Sequence, residues 1–153
     1  MLERFEVFTM LITKASRYIH RLKTKEMAEF NLKSSHVSCL YYLFKRNSLT
    51  AKELCGLCGE DKANVSRTIK HLENSGLIYC ESTAQKRYQT AFYLTEKGKQ
   101  VGLSLVEKID NVLSQSSVGI SEQNRQIFYD SLTLICNNLE KLCNYCDGDE
   151  KND

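Results

Sequence analysis

Apolar positions between residues 2 and 23 recur with a helical rhythm. Phe5, Phe8, Ile12, Ala15, Ile19 and Leu22 follow one another at three- and four-residue spacing, while Arg4, Lys14, Arg17 and Arg21 fall largely off that stripe. A period near 3.6 predicts one long amphipathic helix. Val37, Leu40, Tyr41 and Phe44 repeat the pattern at i, i+3, i+4 and i+7, so a second helix follows Ser34-Ser35. Thr50-Ala51-Lys52-Glu53 has the form of a capping box, in which a hydroxyl and a carboxylate each accept from the other residue's backbone N–H. A third helix starts there, and Gly56 and Gly59 keep it short. A fourth runs from about Lys62 to Asn74 and stops near Gly76, since glycine leaves a helix easily through the left-handed conformation.

The rhythm then changes. Leu77 to Glu81 and Thr90 to Leu94 are short, β-rich runs, and Ser82 to Gln89 between them is polar. The pair predicts a hairpin with a long tip. Thr95-Glu96-Lys97 opens a fifth helix reaching about Ser116. Ser121-Glu122 opens a sixth, carrying Phe128, Leu132, Ile135, Leu139 and Leu142. The charged tail from Asp147 is expected to fray. A short helix, a tight turn, a second helix and a hairpin make a winged helix-turn-helix. The expected fold class is therefore mainly α with a small β-hairpin wing, flanked by long N- and C-terminal dimerisation helices. Their apolar stripes exceed what so small a head needs, and the simplest cover is a second copy of the chain. The expected organisation is a single domain over 1–153, with the head at 34–100 and dimerisation helices at 1–30 and 101–146.

Composition narrows the class. The 153 residues are 42% hydrophobic, enough for one core, and the 26% that are charged lie among the apolar ones, which excludes a wholly disordered chain. Apolar runs such as Met10-Leu11-Ile12 fall far short of the roughly 20 residues of a membrane helix. Glu3 and Glu6 interrupt the first apolar stretch and no cleavage site follows, so no signal peptide is expected and the cytosol is the expected compartment. Seven cysteines, an odd number, suit reduced thiols better than a closed disulfide framework. Proline is absent, which is friendly to long helices.

Charge points to a partner. The net charge is only +2, but Lys45 to Lys99 carries ten basic and six acidic residues, leaving −2 for the remainder. A basic excess on the head fits double-stranded DNA. On the fourth helix Val65, Ile69 and Leu72 share the inward face. At 100° per residue Arg67 lies nearly opposite, with Ala63, Ser66, Lys70 and Asn74 around it. Small residues permit close approach to a groove, Arg bonds guanine edges in bidentate fashion, and Asn64 at the margin suits adenine. An ordinary solvated face has a similar composition; the hairpin and the charge distribution favour recognition. The candidate DNA-binding residues are Lys62, Ala63, Asn64, Ser66, Arg67 and Lys70, with Lys86 and Arg87 at the hairpin tip for phosphates or a minor groove.

These residues resemble the MarR family, the multiple-antibiotic-resistance type of bacterial transcription regulator. The resemblance runs through Leu49-Thr50-Ala51-Lys52-Glu53-Leu54, Asp61-Lys62-Ala63-Asn64-Val65-Ser66-Arg67, Leu72-Glu73-Asn74-Ser75-Gly76-Leu77-Ile78 and Leu94-Thr95-Glu96-Lys97-Gly98. It implies a homodimer with interlocked terminal helices, two winged heads reading a pseudo-palindromic operator, and a repressor or activator that small molecules or oxidation switch off. Four positions depart from the pattern. Cys80 and Lys86 stand where the family pairs an Arg with an Asp in the wing, Tyr88 replaces the arginine that ends the wing motif, and Glu60 takes an apolar place before the fourth helix.

The remaining chemistry is sparse. Cys55-Gly56-Leu57-Cys58 and Cys143-Asn144-Tyr145-Cys146 have ligand-like spacing, but lie far apart for one zinc site. The first pair reads as packing in the short helix. The second reads as surface on the last turns, with a redox pair as its alternative. His71 lies toward the DNA side, and His20 and His36 line a cavity or the surface. No nucleophile–base arrangement, paired carboxylate or glycine-rich phosphate loop stands out, so neither an enzyme nor a bound metal or cofactor is expected. The leading reading is a homodimeric DNA-binding regulator, with repression favoured, modulated by a small apolar or aromatic ligand beside Tyr18, Leu22, Tyr41 and Phe44. The alternatives are a thiol- or metal-sensing regulator of the same fold and a winged-helix protein-interaction module without DNA binding. No membrane partner is expected.

Overall fold

The computed structural model describes residues 3–81 and 90–149; the hairpin tip at 82–89, with Lys86, Arg87 and Tyr88, lies outside the described residues. The chain divides into two compact units, residues 1–110 and 111–153. The first holds helix α1 (Arg4–Glu26), a 3-10 turn (Ala28–Phe30), α2 (Ser34–Arg46), strand β1 (Ser48–Thr50), α3 (Ala51–Cys58), α4 (Lys62–Asn74), β2 (Ile78–Cys80), β3 (Ala91–Leu94) and most of α5 (Glu96–Ser116). The second holds the end of α5 and α6 (Glu122–Asp149). Among the described residues no helix is long and apolar enough to cross a membrane.

The core of the first unit gathers Leu40 and Leu43 of α2, Leu54 of α3, Val65 and Leu72 of α4, Phe92 of β3 and Leu105 of α5, all fully buried. Each contributes about 1.5–3 kcal/mol by leaving water. The buried stripe of α2 is rotated from the expected one: Val37, Leu40 and Leu43 are covered, while Tyr41 and Phe44 are half-buried. Lys23 at the end of α1 donates to Ser38 Oγ at 2.9 Å, and Lys108 of α5 meets Glu29 at 2.7 Å.

Local signals set the helix ends. The Thr50 and Glu53 capping box forms, with Thr50 N–H donating to Glu53 Oε2 at 2.8 Å and Glu53 N–H to Thr50 Oγ1 at 3.2 Å. Those bonds to Thr50, backbone first and hydroxyl second, with Arg46 nearby, hold the Glu53 carboxyl below its ordinary range. Asp61 caps α4 by accepting from Asn64 N–H at 2.7 Å. At the other end Gly76 enters the left-handed region at φ 68°, Leu77 N–H reaches back to the Leu72 carbonyl, and Gly76 N–H to that of Glu73. This pair of bonds turns the chain out of α4 and into β2.

The sheet has the order β1-β3-β2, antiparallel throughout, with Leu49 opposite Phe92 and Tyr79 opposite Tyr93. Strand β1 was not expected. Three residues are too few to show a period of two, and Ser48 to Thr50 becomes a strand only because β3 offers it an edge. Thr95 then locks wing to head. Its N–H donates to the Leu77 carbonyl at 3.0 Å, its hydroxyl donates to the Gly76 carbonyl at 2.7 Å, and that hydroxyl accepts from Gly98 N–H at 3.0 Å. A Cβ on Gly98 would stand 1.9 Å from the Leu77 oxygen, so this Leu-Thr-x-x-Gly stretch needs the glycine for close approach.

In the second unit Ser121 Oγ accepts from Asn124 N–H at 3.2 Å and starts α6. The helix continues to Asp149, two residues beyond the point where fraying was expected to begin. Ile127, Phe128, Leu134, Leu139 and Leu142 are exposed along it. So are Phe8, Leu11, Ile12 and Ile19 on α1.

Candidate nucleic-acid interface

Helix α4 sorts its residues by face. Val65, Thr68, Ile69 and Leu72 are buried, whereas Lys62, Ala63, Ser66, Arg67, Lys70 and Asn74 are exposed. The 100° arithmetic therefore placed the outward residues on one surface. Asn64 is half-buried at its margin and is not loose: its amide donates to the Glu60 carboxylate, and its Oδ1 accepts from Arg67 Nη2 at 3.3 Å. Glu60 thus has a task that sequence reading missed, holding Asn64 and through it Arg67. An acidic residue four positions before an asparagine was the available signal. Asp61 was missed too, although Asp-x-x-Asn ahead of a helical run is a capping signature.

Beside this face lies an open hollow of about 660 Å³. Lys62, Ser66, Lys70 and Asn74 of α4 line it together with Ala51 and Phe92. Two lysines lining an open hollow suit a polyanionic backbone. Glu73 shares the lining and offsets part of that charge.

Residues 32–98 match the family model of the winged helix DNA-binding domain. The fold also matches a putative MarR-family transcriptional regulator from Listeria monocytogenes, solved with a 26-mer DNA, at TM-score 0.78 and 21% identity over 86% of this chain and 87% of that one. This is a winged-helix protein with the MarR fold. The Staphylococcus aureus MarR, solved with salicylate and kanamycin, superposes at TM-score 0.76 with 21% identity, covering 89% and 91% of the two chains. Among curated relatives, the HTH-type transcriptional regulator YfiV of Bacillus subtilis is 23% identical over 115 residues, 75% of this chain and 72% of its own. YfiV and the Listeria protein are both named as transcriptional regulators.

Within the winged-helix head His71, expected toward the DNA side, is half-buried. Its ring stacks on His36 with centroids 4.0 Å apart, and its Nε2 lies 3.0 Å from the Asn31 carbonyl. His36 Nδ1 accepts from Lys33 N–H at 3.2 Å. The two imidazoles join the start of α2 to the end of α4. Burial first, then His71, then Lys33 lower the pKa of His36 to about 4. The unfolded chain protonates this histidine near 6.5, the folded one only near 4. Its contribution is thus present above about 6.5 and is lost as pH falls toward 4. Because the ring is only half-buried and partly screened by water, we expect a loss of about 1–2 kcal/mol rather than the full shift. Thermal melts between pH 7 and 4 should show this loss in the parent and a smaller one in His36→Gln. Equal losses would assign the dependence to carboxylates instead.

The four residues considered for a small ligand lie on α1 and α2. Tyr18 is exposed with the Arg17 guanidinium 5.5 Å above its ring, and Leu22 is half-buried. Tyr41 meets Tyr42 edge-on at 5.5 Å, and Phe44 packs over Gly102, where a Cβ would stand 2.4 Å from its ring. His20 is exposed. Cys80 ends β2, half-buried, while Lys86 falls outside the described residues. Among the described residues no three His, Cys, Asp or Glu side chains gather to hold a metal ion.

Proposed function

We propose that this protein is a homodimeric, sequence-specific DNA-binding transcription regulator, acting as a repressor whose grip a small ligand loosens. The observation that carries this reading is the outward face of α4. Lys62, Ala63, Ser66, Arg67 and Lys70 are exposed on a helix whose opposite face is wholly buried, with Asn64 held at its edge. Such a face enters a major groove: Arg67 reads a base edge, Lys62 and Lys70 bind phosphates, and the small Ala63 and Ser66 allow close approach. Lys86 and Arg87 of the wing complete the phosphate contacts. The matched winged-helix domain and the Listeria relative's 26-mer DNA support the same assignment.

Two heads are needed for a pseudo-palindrome. The exposed apolar residues of α1 and α6 supply the surface for pairing, since a second copy covers them at no cost in new sequence. The two recognition helices then stand about 34–36 Å apart in successive major grooves. A ligand beside Tyr18, Leu22, Tyr41 and Phe44 weakens DNA binding only if it prefers a dimer with a different spacing. These side chains favour an apolar or aromatic molecule, and the salicylate and kanamycin of the Staphylococcus relative support a ligand of drug-like size.

Footprinting on DNA flanking the protein's own gene, followed by titration of the protected site at increasing salt, tests the reading. We expect two chains per duplex by sedimentation, and an affinity falling with a slope of about −0.9 per phosphate contacted. A protein that protects no site and binds no DNA even at low salt would instead be an interaction module.

A further inference from the structure

Sequence spacing pairs Cys58 with Cys55, but the fold gives it a different neighbour. The Sγ atoms of Cys39 and Cys58 lie 3.5 Å apart. Cys39 sits in the middle of α2 and is 1% exposed; Cys58 is the last residue of α3 and is half-buried, within reach of a small oxidant. A disulfide needs about 2.05 Å between sulfurs, so closure asks for about 1.5 Å of movement. We propose that Cys39 and Cys58 are a thiol–disulfide site that hydrogen peroxide or an organic hydroperoxide oxidises, tying α2 to the turn of the helix-turn-helix.

Polarity favours attack at Cys58. The contact with Cys58 and then burial hold the Cys39 thiol up. The same contact, with Lys23 nearby, brings the Cys58 thiol down, against the opposing effects of burial and Glu60. The Cys58 thiolate attacks the peroxide oxygen. The O–O bond breaks, the leaving oxygen takes a proton as water or alcohol, and Cys58 becomes a sulfenic acid. Cys39 then gives up its proton and attacks Cys58 Sγ. The S–S bond forms, the S–O bond breaks, and hydroxide leaves with that proton as water. Two thiols lose two electrons in total, and one peroxide gains them.

The consequence lies one residue further on. Gly59 leaves α3 in the left-handed conformation at φ 63°, Glu60 holds the Asn64 amide, and Asp61 caps α4. Drawing Cys58 toward α2 displaces these three residues and the recognition face they position. This effect on DNA rests on the regulator reading above; the disulfide itself does not.

The test treats the fully reduced, full-length protein with one equivalent of hydrogen peroxide, blocks remaining thiols with N-ethylmaleimide, and maps the tryptic peptides by mass spectrometry. We expect a Cys39–Cys58 linkage that dithiothreitol reverses. It should be lost in Cys58→Ser and Cys39→Ala and kept when Cys143 and Cys146 are both serine. A linkage of Cys58 to Cys55, a chain that links only Cys143 to Cys146, or a Cys58 sulfinic acid beside an intact Cys39 thiol would overturn the proposal. The parent's map decides alone if a variant fails to fold. On DNA, the linked protein should bind roughly tenfold more weakly or worse, the scale of losing one base contact, and Cys39→Ala should be insensitive to peroxide. A linked chain that binds as tightly as the reduced one overturns the coupling to the turn. Reduced protein that binds no DNA overturns the regulator reading and leaves the mapped disulfide standing.

Discussion

Gly98→Ala lowers folding stability by about 3 kcal/mol, the upper part of the range for forcing atoms into a filled site. The added Cβ would stand 1.9 Å from the Leu77 carbonyl oxygen, 2.9 Å from its carbon and 3.2 Å from Leu94 Cδ2. The first two are backbone atoms held by the hydrogen bond from Thr95 N–H, so neither moves cheaply. Alanine gains about 1 kcal/mol of helix propensity over glycine, and that gain is too small to reverse the sign. Gly56→Ala is the control. It also lies inside a helix, but a Cβ there meets nothing within 4 Å, so it should be neutral or stabilising by up to about 1 kcal/mol. Urea melts of the three proteins measure both effects. A Gly98→Ala variant as stable as Gly56→Ala would mean that α5 slides off Leu77 without resistance, and the account of the Leu-Thr-x-x-Gly stretch would be wrong.

Arg67→Ala weakens binding to the protected DNA site by about 1–3 kcal/mol, roughly five- to 150-fold, while binding to random DNA falls much less. Arg67 is exposed at the centre of the outward face, and its one described side-chain partner is the Asn64 oxygen at 3.3 Å. The guanidinium is thereby aimed without being buried. Arg67→Lys keeps the charge but not the planar fork, so it should restore non-specific affinity more than selectivity. Lys70→Ala should act differently, weakening all sequences alike and flattening the salt slope by about 0.9. Anisotropy titrations on cognate and scrambled duplexes distinguish these patterns. If all three variants bind like the parent, the face is an ordinary solvated one.

Most of what depends on neighbours in the chain was legible from the sequence, the Glu60 and Asp61 contacts to Asn64 excepted. The Thr50 and Glu53 box, the span of α4 from Lys62 to Asn74, the stop at Gly76 and the start of α5 beyond Thr95 all rest on hydrogen bonds reaching only a few residues. The outward set of Ser66, Arg67 and Lys70 followed from helical geometry once Val65, Ile69 and Leu72 were seen to be apolar. Pairings across the fold were not legible. Strand β1 is three ordinary residues until β3 docks beside it. His71 gains His36 as a partner only when α4 settles against the start of α2. Cys39 and Cys58 stand 19 positions apart, and no spacing rule relates them. Periodicity reports which face of an element is buried, because that face repeats with the turn of the helix. It carries no record of which residue on another element will lie opposite, because packing chooses that partner only when the elements meet.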